Sequence, residues 1–295
     1  MKNEKTFFLD CVFSSVLFFF LSSCAGLSGA GGEKSEEKIA LKYPVVLVHG
    51  IVFNDRGFPA WGRIPETLEN AGARVFFGNT DSWGDFDSNA LILKETIEKI
   101  LLETNSEKVN IIAHSKGGID SRYLIWKHDF GDKVASLTTI CTPHRGAEIA
   151  DLIYAQDFIH TERTRKALET FGELFGDTSP DVYNVNYHLT TEVMKAFNER
   201  VHMDSRVYYQ SFYTSIASGF DAQMFAASYR YIKKISGAND GLVSEESAKW
   251  GVNTAKIEGR ISHTEILDLK KRRISGVDIP SVYTGIIKAL CEKGF

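Results

Sequence analysis

Val109-Asn110-Ile111-Ile112-Ala113-His114-Ser115-Lys116-Gly117-Gly118 is the stretch on which the fold turns. Val109, Ile111 and Ile112 are β-branched and apolar, which predicts a short buried strand. The run stops at Ala113–Gly117, and Ile119–Lys127 predicts a helix. A strand, a sharp turn carrying Ser and then a helix is the setting of a nucleophile elbow. Such a turn strains the backbone at the Ser and lifts its hydroxyl above the sheet edge. The positions two before and two after must be small, because strand and helix nearly touch there. Here they are Ala113 and Gly117, so Ala replaces the first Gly of G-x-S-x-G. The pentapeptide alone also suits an ordinary strand-to-helix turn, so the rest of the chain has to decide.

Working outward, Val45–Val48 predicts a buried strand that runs into His49-Gly50. Trp61–Ala71 has helical spacing at Ile64, Leu68 and Ala71 and is stopped by Gly72. Arg74–Phe77 predicts the next strand. Asp87 or Ser88 can cap a helix with Leu93, Ile97, Ile100 and Leu101 on one face. Downstream of the elbow, Val134–Cys141 predicts a strand ending in Thr142-Pro143-His144-Arg145-Gly146. Strands alternating with helices imply an α/β fold, a mostly parallel sheet flanked by helices. The strand pattern lapses over about 147–200, where Ala147–Tyr154 and Thr164–Phe175 look helical, and resumes at Val207–Phe212. A helical cap inserted there would sit over the carboxyl ends of the strands, where open α/β sheets bind ligands. Phe220–Ile235 predicts a smaller helical excursion, Asn253–Glu258 a last strand and Val282–Leu290 a closing helix.

The 295 residues carry a net charge of −4 with 43% hydrophobic and 24% charged residues, an ordinary balance for a globular core and a poor one for nucleic acid. The amino end is different. Lys2 and Lys5 precede an apolar run that ends in Leu21-Ser22-Ser23-Cys24. The run is too short and interrupted for a comfortable membrane span and suits a signal peptide. Leu21–Cys24 resembles the lipobox of bacterial lipoproteins, which implies lipidation at Cys24 and an extracytoplasmic, membrane-anchored protein. The expected organisation is therefore a signal peptide over 1–23, a flexible tether over 24–40 and one folded domain over 41–295. Of the four cysteines, only Cys141 and Cys291 fall in that domain, where two buried thiols are expected rather than a disulfide framework.

A Ser nucleophile needs a base, and the base needs an orienting carboxylate. In the order Ser, acid, His, only His263 follows the last expected strand. His49 and His144 sit in strand-end turns and are expected to organise loops through hydrogen bonds. Position in the chain leaves two serious acids, Asp240 in a Gly-rich loop and Asp221 just after the Val207–Phe212 strand; Asp204 lies at that strand's amino end.

Four segments together resemble one family. V-L-V-H-G-I, A-H-S-K-G-G-I-D-S-R-Y, T-P-H-R-G-A-E-I-A-D and N-D-G-L-V-S-E-E-S-A-K-W-G followed by S-H are similar to the bacterial secreted triacylglycerol lipases, above all their Pseudomonas/Burkholderia-like branch and its shorter relatives. The resemblance runs from Tyr43 to Glu265. It implies the α/β-hydrolase fold and hydrolysis of carboxylic esters of acyl chains, with Ser115 as nucleophile, Asp240 as acid and His263 as base. It also carries the oxyanion donors onto the backbone N–H groups of Ile51 and Lys116. The Lys116 side chain is then free to point to solvent. The larger lipases hold a structural calcium through an Asp two residues after the base. This chain has Glu265 there, with Asp221 as the only loose match for a second carboxylate, so no metal and no cofactor is expected. The expected partners are an acyl-ester or lipid substrate and the anchoring membrane, with the protein a monomer. An acyltransferase or phospholipase on the same three residues is the nearest rival. A non-catalytic lipid-binding surface lipoprotein is the rival from another class.

Overall fold

The computed structural model of the chain describes residues 38–53, 55, 60–174 and 177–295. The expected signal peptide, Cys24 and nearly all of the tether lie outside the described residues. Among those described, no helix is long and apolar enough to cross a membrane.

Six strands form one sheet: β1 (Val45–Val48), β2 (Val75–Phe77), β3 (Val109–His114), β4 (Val134–Ile140), β5 (Tyr208–Ser215) and β6 (Asn253–Arg260). Every neighbouring pair is parallel, in the order β2-β1-β3-β4-β5-β6. The chain therefore builds outward from β1 to β2 and then returns to the other side of β1 with β3. That reversal opens a crevice at the carboxyl ends of β1 and β3, the usual place for a ligand in such sheets. His49-Gly50 leaves β1 there and Ser115 leaves β3 there.

Helices cover both faces, and strand alternation sorts the core between them. Val45, Leu47, Ile112 and Ile140 point to one face. They meet Ile64 and Leu68 of α1 (Ile64–Asn70) and the last helix, whose buried side includes Tyr283, Ile286, Ile287 and Leu290. Val46, Val48, Ile111 and Ala113 point to the other face. There they meet Leu93, Ile97 and Ile100 of α2 (Phe86–Thr104) and Leu124 and Ile125 of α3 (Lys116–Lys127). The cap of α2 is Asp85, whose carboxylate accepts the Ser88 N–H, and not Asp87 or Ser88. Periodicity placed the apolar face correctly but did not say how far the helix unwinds ahead of Phe86.

Between β4 and β5 lie α4 (Glu148–Tyr154), α5 (Glu162–Leu174), α6 (Val182–His188) and α7 (Thr191–Arg200). Ala150, Val185, Met194 and Phe197 of this insertion pack on Phe86 and Ile119, the starts of α2 and α3. Two carboxylates tie it down reciprocally. Asp81 accepts from the N–H groups of Thr178 and Ser179, and Asp177 accepts from those of Ser82 and Trp83. After β5 come α8 (Gly219–Ala222), α9 (Ala226–Ile235) and α10 (Glu245–Ala248). The chain closes with α11 (Ile279–Glu292), which carries Pro280 in its first turn, where no intrahelical N–H bond is lost. Cys141 is buried, whereas Cys291 is only partly so, and both are free thiols. Cys291 lies beside the buried stripe of α11 rather than in it, so the expectation of two buried thiols holds only for Cys141.

Helix and sheet come close together at Gly117. A Cβ there would lie 2.3 Å from the His49 carbonyl oxygen and 2.6 Å from that of Val48, and neither backbone group can step aside. Gly117→Ala should therefore lower the urea midpoint by an amount equivalent to about 1–3 kcal/mol, the usual cost of overpacking. A variant as stable as the parent would mean that β1 and α3 are not in contact at this point.

Candidate active site

Ser115 is the residue where β3 gives way to α3. Its φ of 54° and ψ of −130° lie outside the regions open to most L-residues. Neighbours hold this strain in place. The Ser115 N–H donates to the Ile140 carbonyl at 2.9 Å, while the Ser115 carbonyl accepts from the Thr142 hydroxyl and the Gly118 N–H. Asn239, Asp240 and Gly241 form the loop that leads to β6. The Asn239 side chain accepts the Gly241 N–H, and Gly241 takes a φ of 107°, which turns the Asp240 carboxylate inward.

The three residues converge. His263 Nε2 lies 3.0 Å from Ser115 Oγ, and His263 Nδ1 lies 2.7 Å from Asp240 Oδ2. All three are buried, with Ser115 6% exposed, enough for a hydroxyl to meet a ligand. A carboxylate can only accept, so Nδ1 carries the proton and Nε2 is left as the acceptor facing the hydroxyl. The other Asp240 oxygen accepts the N–H groups of Leu242 and Val243, which fixes the carboxylate. The His263 N–H donates to the Asp240 carbonyl at 2.9 Å, so the two loops are also joined through their main chains. Such an array can take a proton from Ser115 and hold the resulting imidazolium beside a negative charge. Asp221 is not part of it. Its carboxylate closes a capping box with Ser218 at the start of α8. Asp204 is on Arg206, at the opposite end of β5.

Ile51 and Lys116 stand on either side of Ser115. Lys116 heads α3, so its N–H has no intrahelical partner. A Cβ on Gly50 would meet Ser115 Cβ at 2.6 Å, which places the Gly50–Ile51 segment against the serine. The Lys116 side chain corrects the sequence expectation. It is 1% exposed, and its Nζ donates to both oxygens of Asp120 at 2.9 and 2.8 Å. Asn89 gives Asp120 a further hydrogen bond at 2.9 Å. The reason is geometric: residues four apart share a helix face, and Asp120 supplies the counter-charge that lets an ammonium stay under the loop. The pair K-x-x-x-D was the legible signal.

His49 and His144 sit in their turns as expected. His49 Nε2 donates to the Thr80 carbonyl, and His144 Nδ1 accepts from Arg122 at 3.2 Å. Sequence reasoning missed His114 and the surroundings of Cys141. His114 Nε2 donates to the His263 carbonyl at 2.9 Å, so the residue before the nucleophile steadies the base. The Cys141 thiol lies within 4.8 Å of both Asp240 and His263, and burial pushes its pKa well up. Glu265 accepts from Lys270, Gln223 and Ser262, and Asp221 accepts from Ser218.

Comparison with known proteins agrees with this architecture. The family described as "alpha/beta hydrolase fold" matches residues 43–243. A triacylglycerol lipase of Burkholderia plantarii is 33% identical over 178 residues, which cover 56% of this chain and 49% of that protein. The chain thus spans about half the length of that relative. Triacylglycerol lipase 2 of Saccharomyces cerevisiae is 28% identical over 256 residues, 80% of this chain and 74% of that protein. Among solved structures, the mature Bacillus licheniformis lipase BlEst2 superposes with a TM-score of 0.62 at 24% identity, covering 87% of this chain and 96% of that one. Staphylococcus hyicus lipase gives 0.66 at 18% identity, with 88% and 98% coverage.

His114 and His144 generate a pH prediction. Burial, first of all, holds both well below the usual value of 6.5, with His263 adding to the effect at His114 and Arg122 at His144. Both stay neutral in the fold while the unfolded chain takes up protons below about pH 6.5, so stability falls as pH drops and is fully present above that range. The urea midpoint should decline between about pH 7 and pH 5, at roughly 1 kcal/mol per histidine per pH unit. His144→Gln should make the slope shallower. A flat midpoint over that range would mean that neither ring is buried in its neutral form.

Proposed function

The chain belongs to the α/β-hydrolase family, and from that footing we propose that it is a serine hydrolase that cleaves carboxylic esters of acyl chains, a lipase or carboxylesterase. The observation that carries this reading is the unbroken set of hydrogen bonds from Ser115 through His263 to Asp240. In it, His263 Nε2 takes the Ser115 proton as Oγ adds to the ester carbonyl. The negative charge on the carbonyl oxygen is met by the N–H groups of Ile51 and Lys116. Each such donor is worth about 3–4 kcal/mol of barrier. The imidazolium, held by Asp240, returns its proton to the leaving alcohol and an acyl-Ser115 remains. Water then repeats the sequence and releases the acid. The insertion over about 147–200 supplies a roof for the acyl chain in this reading, supported by its packing on the starts of α2 and α3.

A fluorophosphonate probe should label the protein at Ser115, and Ser115→Ala should abolish labelling and lower ester turnover by about a thousandfold or more. Absence of labelling would favour a non-catalytic lipid-binding protein. Asp240→Asn should cost about 10⁴ in turnover, whereas Asp221→Asn, which disturbs only a capping box, should stay within about a factor of three. The reverse would move the acid to Asp221. Parallel assays on emulsified triglyceride and phospholipid distinguish a lipase from a phospholipase, and alcohol as acceptor tests for acyl transfer.

The amino-terminal reading belongs to the same proposal. Leu21-Ser22-Ser23-Cys24 supports lipidation at Cys24 and attachment to an extracytoplasmic membrane face. Mass spectrometry of the amino-terminal peptide of the mature protein should find Cys24 first in the chain and carrying acyl groups. More than one chain is expected, because a single acyl chain binds only marginally. An unmodified Cys24, or a start elsewhere, would overturn the lipoprotein reading.

A further inference from the structure

A cavity of about 260 Å³ opens where the end of α7 meets the turn after β4, and none of the residues gathered at Ser115 line it. Its charged wall is made by Arg122 of α3 and Arg145 of the turn, with Asn198 and His202 beside them.

Arg122 is the unusual member. It is only 3% exposed, yet among the described residues no carboxylate pairs with it. Its hydrogen bonds go to neutral acceptors: Asn198 Oδ1 at 2.7 Å, His144 Nδ1 at 3.2 Å and the Val201 carbonyl at 3.3 Å. Its Nε–H is buried and has no acceptor. The guanidinium lies 4.1 Å from the centre of the Trp250 ring and 4.9 Å from that of Phe197, which offsets part of the charge. Burial, with Arg145 nearby, still draws its pKa down to about 9. Among the described residues the other buried cation, Lys116, is held differently, by both oxygens of Asp120. A buried charge without a partner is strongly unfavourable, so the geometry asks for an anion from outside.

The rest of the lining narrows its chemistry. Arg145 is exposed, so water screens its charge, and the cavity offers one poorly compensated charge rather than two. Val201, Met203 and Trp250 give it an apolar wall. A planar monoanion with a short apolar tail meets both conditions, and carboxylate matches the guanidinium fork. We propose that this cavity binds the carboxylate of a short aliphatic acid, with Arg122 as its buried counter-charge, Arg145 at its mouth and Val201, Met203 and Trp250 against its tail. The proposal stands whether or not Ser115 is a nucleophile.

Calorimetric titration of the full-length protein with sodium butyrate tests it, at constant ionic strength set with chloride. Saturable binding with a Kd on the order of 1 mM is expected. Arg145→Gln, and Met203→Trp, which fills the cavity, should each weaken it by about tenfold. Arg122→Met should abolish it in a protein whose circular dichroism is unchanged. Where that variant fails to fold, the other two decide. No saturable binding to the parent, or butyrate binding that both cavity variants leave unchanged, overturns the proposal. Tighter binding of inorganic phosphate than of butyrate, lost in the same variants, overturns the carboxylate assignment.

Discussion

The approach of α3 to the end of β1 is the constraint on which the molecule depends. Gly117 sits so close to the carbonyls of Val48 and His49 that only a hydrogen fits between them. That contact forces the turn at Ser115 into its unfavourable backbone angles and sets Gly50 against the serine side chain. The strain is balanced by the sheet around it, since β3 is flanked by β1 and β4 and the turn is hydrogen-bonded to Ile140 and Thr142. The other two members of the site need no such strain. They arrive on longer loops, and all three meet because a wholly parallel sheet delivers every strand's carboxyl end to one side.

Burial of polar groups around that site follows three different solutions. Lys116 and Asp120 are buried as a pair, with Asn89 completing the shell. His114 and His144 are buried as neutral rings, each spending a ring nitrogen on one fixed partner. Arg122 is buried as a cation among aromatic faces and neutral acceptors. The Lys116–Asp120 pair is self-sufficient, and the neutral rings bring no charge to compensate, although His114 leaves its Nδ1 without a partner. Arg122 keeps a charge that no carboxylate of the described residues meets, and it lines the cavity beside Arg145.

Much of this was legible in the sequence for identifiable reasons. The strands between Val45 and Ile140 are short runs rich in β-branched and aromatic residues, so their identity followed from composition and their parallel arrangement from strands alternating with helices. Ser115 and His263 were legible from the elbow turn and from their order in the chain, whereas Asp240 was separated from Asp221 by the resemblance of its N-D-G-L-V segment. What escaped depended on contacts between distant segments. The cap at Asp85 depends on where the preceding loop is pinned by Asn89, and the His114–His263 hydrogen bond spans 149 residues. Lys116 was misplaced because a lysine after a turn reads as solvated until its partner one turn later is counted. The helices α6 and α7 were absorbed into a general expectation of a cap, since their small core is shared with Phe86 and Ile119 rather than contained within them.

The two ends of the described chain meet. The Lys42 N–H donates to the carbonyl of Phe295 at 3.0 Å, and the Phe295 ring lies against Tyr208 at the start of β5. Both ends are therefore at the amino ends of the strands, while Ser115 opens at the carboxyl ends. The length of β3 separates the two by roughly 20 Å. A copy held to a bilayer by Cys24 would thus be attached by its base, with its working face turned outward. If residues 24–40 are the proposed tether, their fully extended reach would be at most roughly 60 Å. On the proposed anchor, such a molecule would patrol a thin shell above its own membrane and would meet what arrives from the far side. To touch the lipids beneath it, the whole body would have to roll over on its leash.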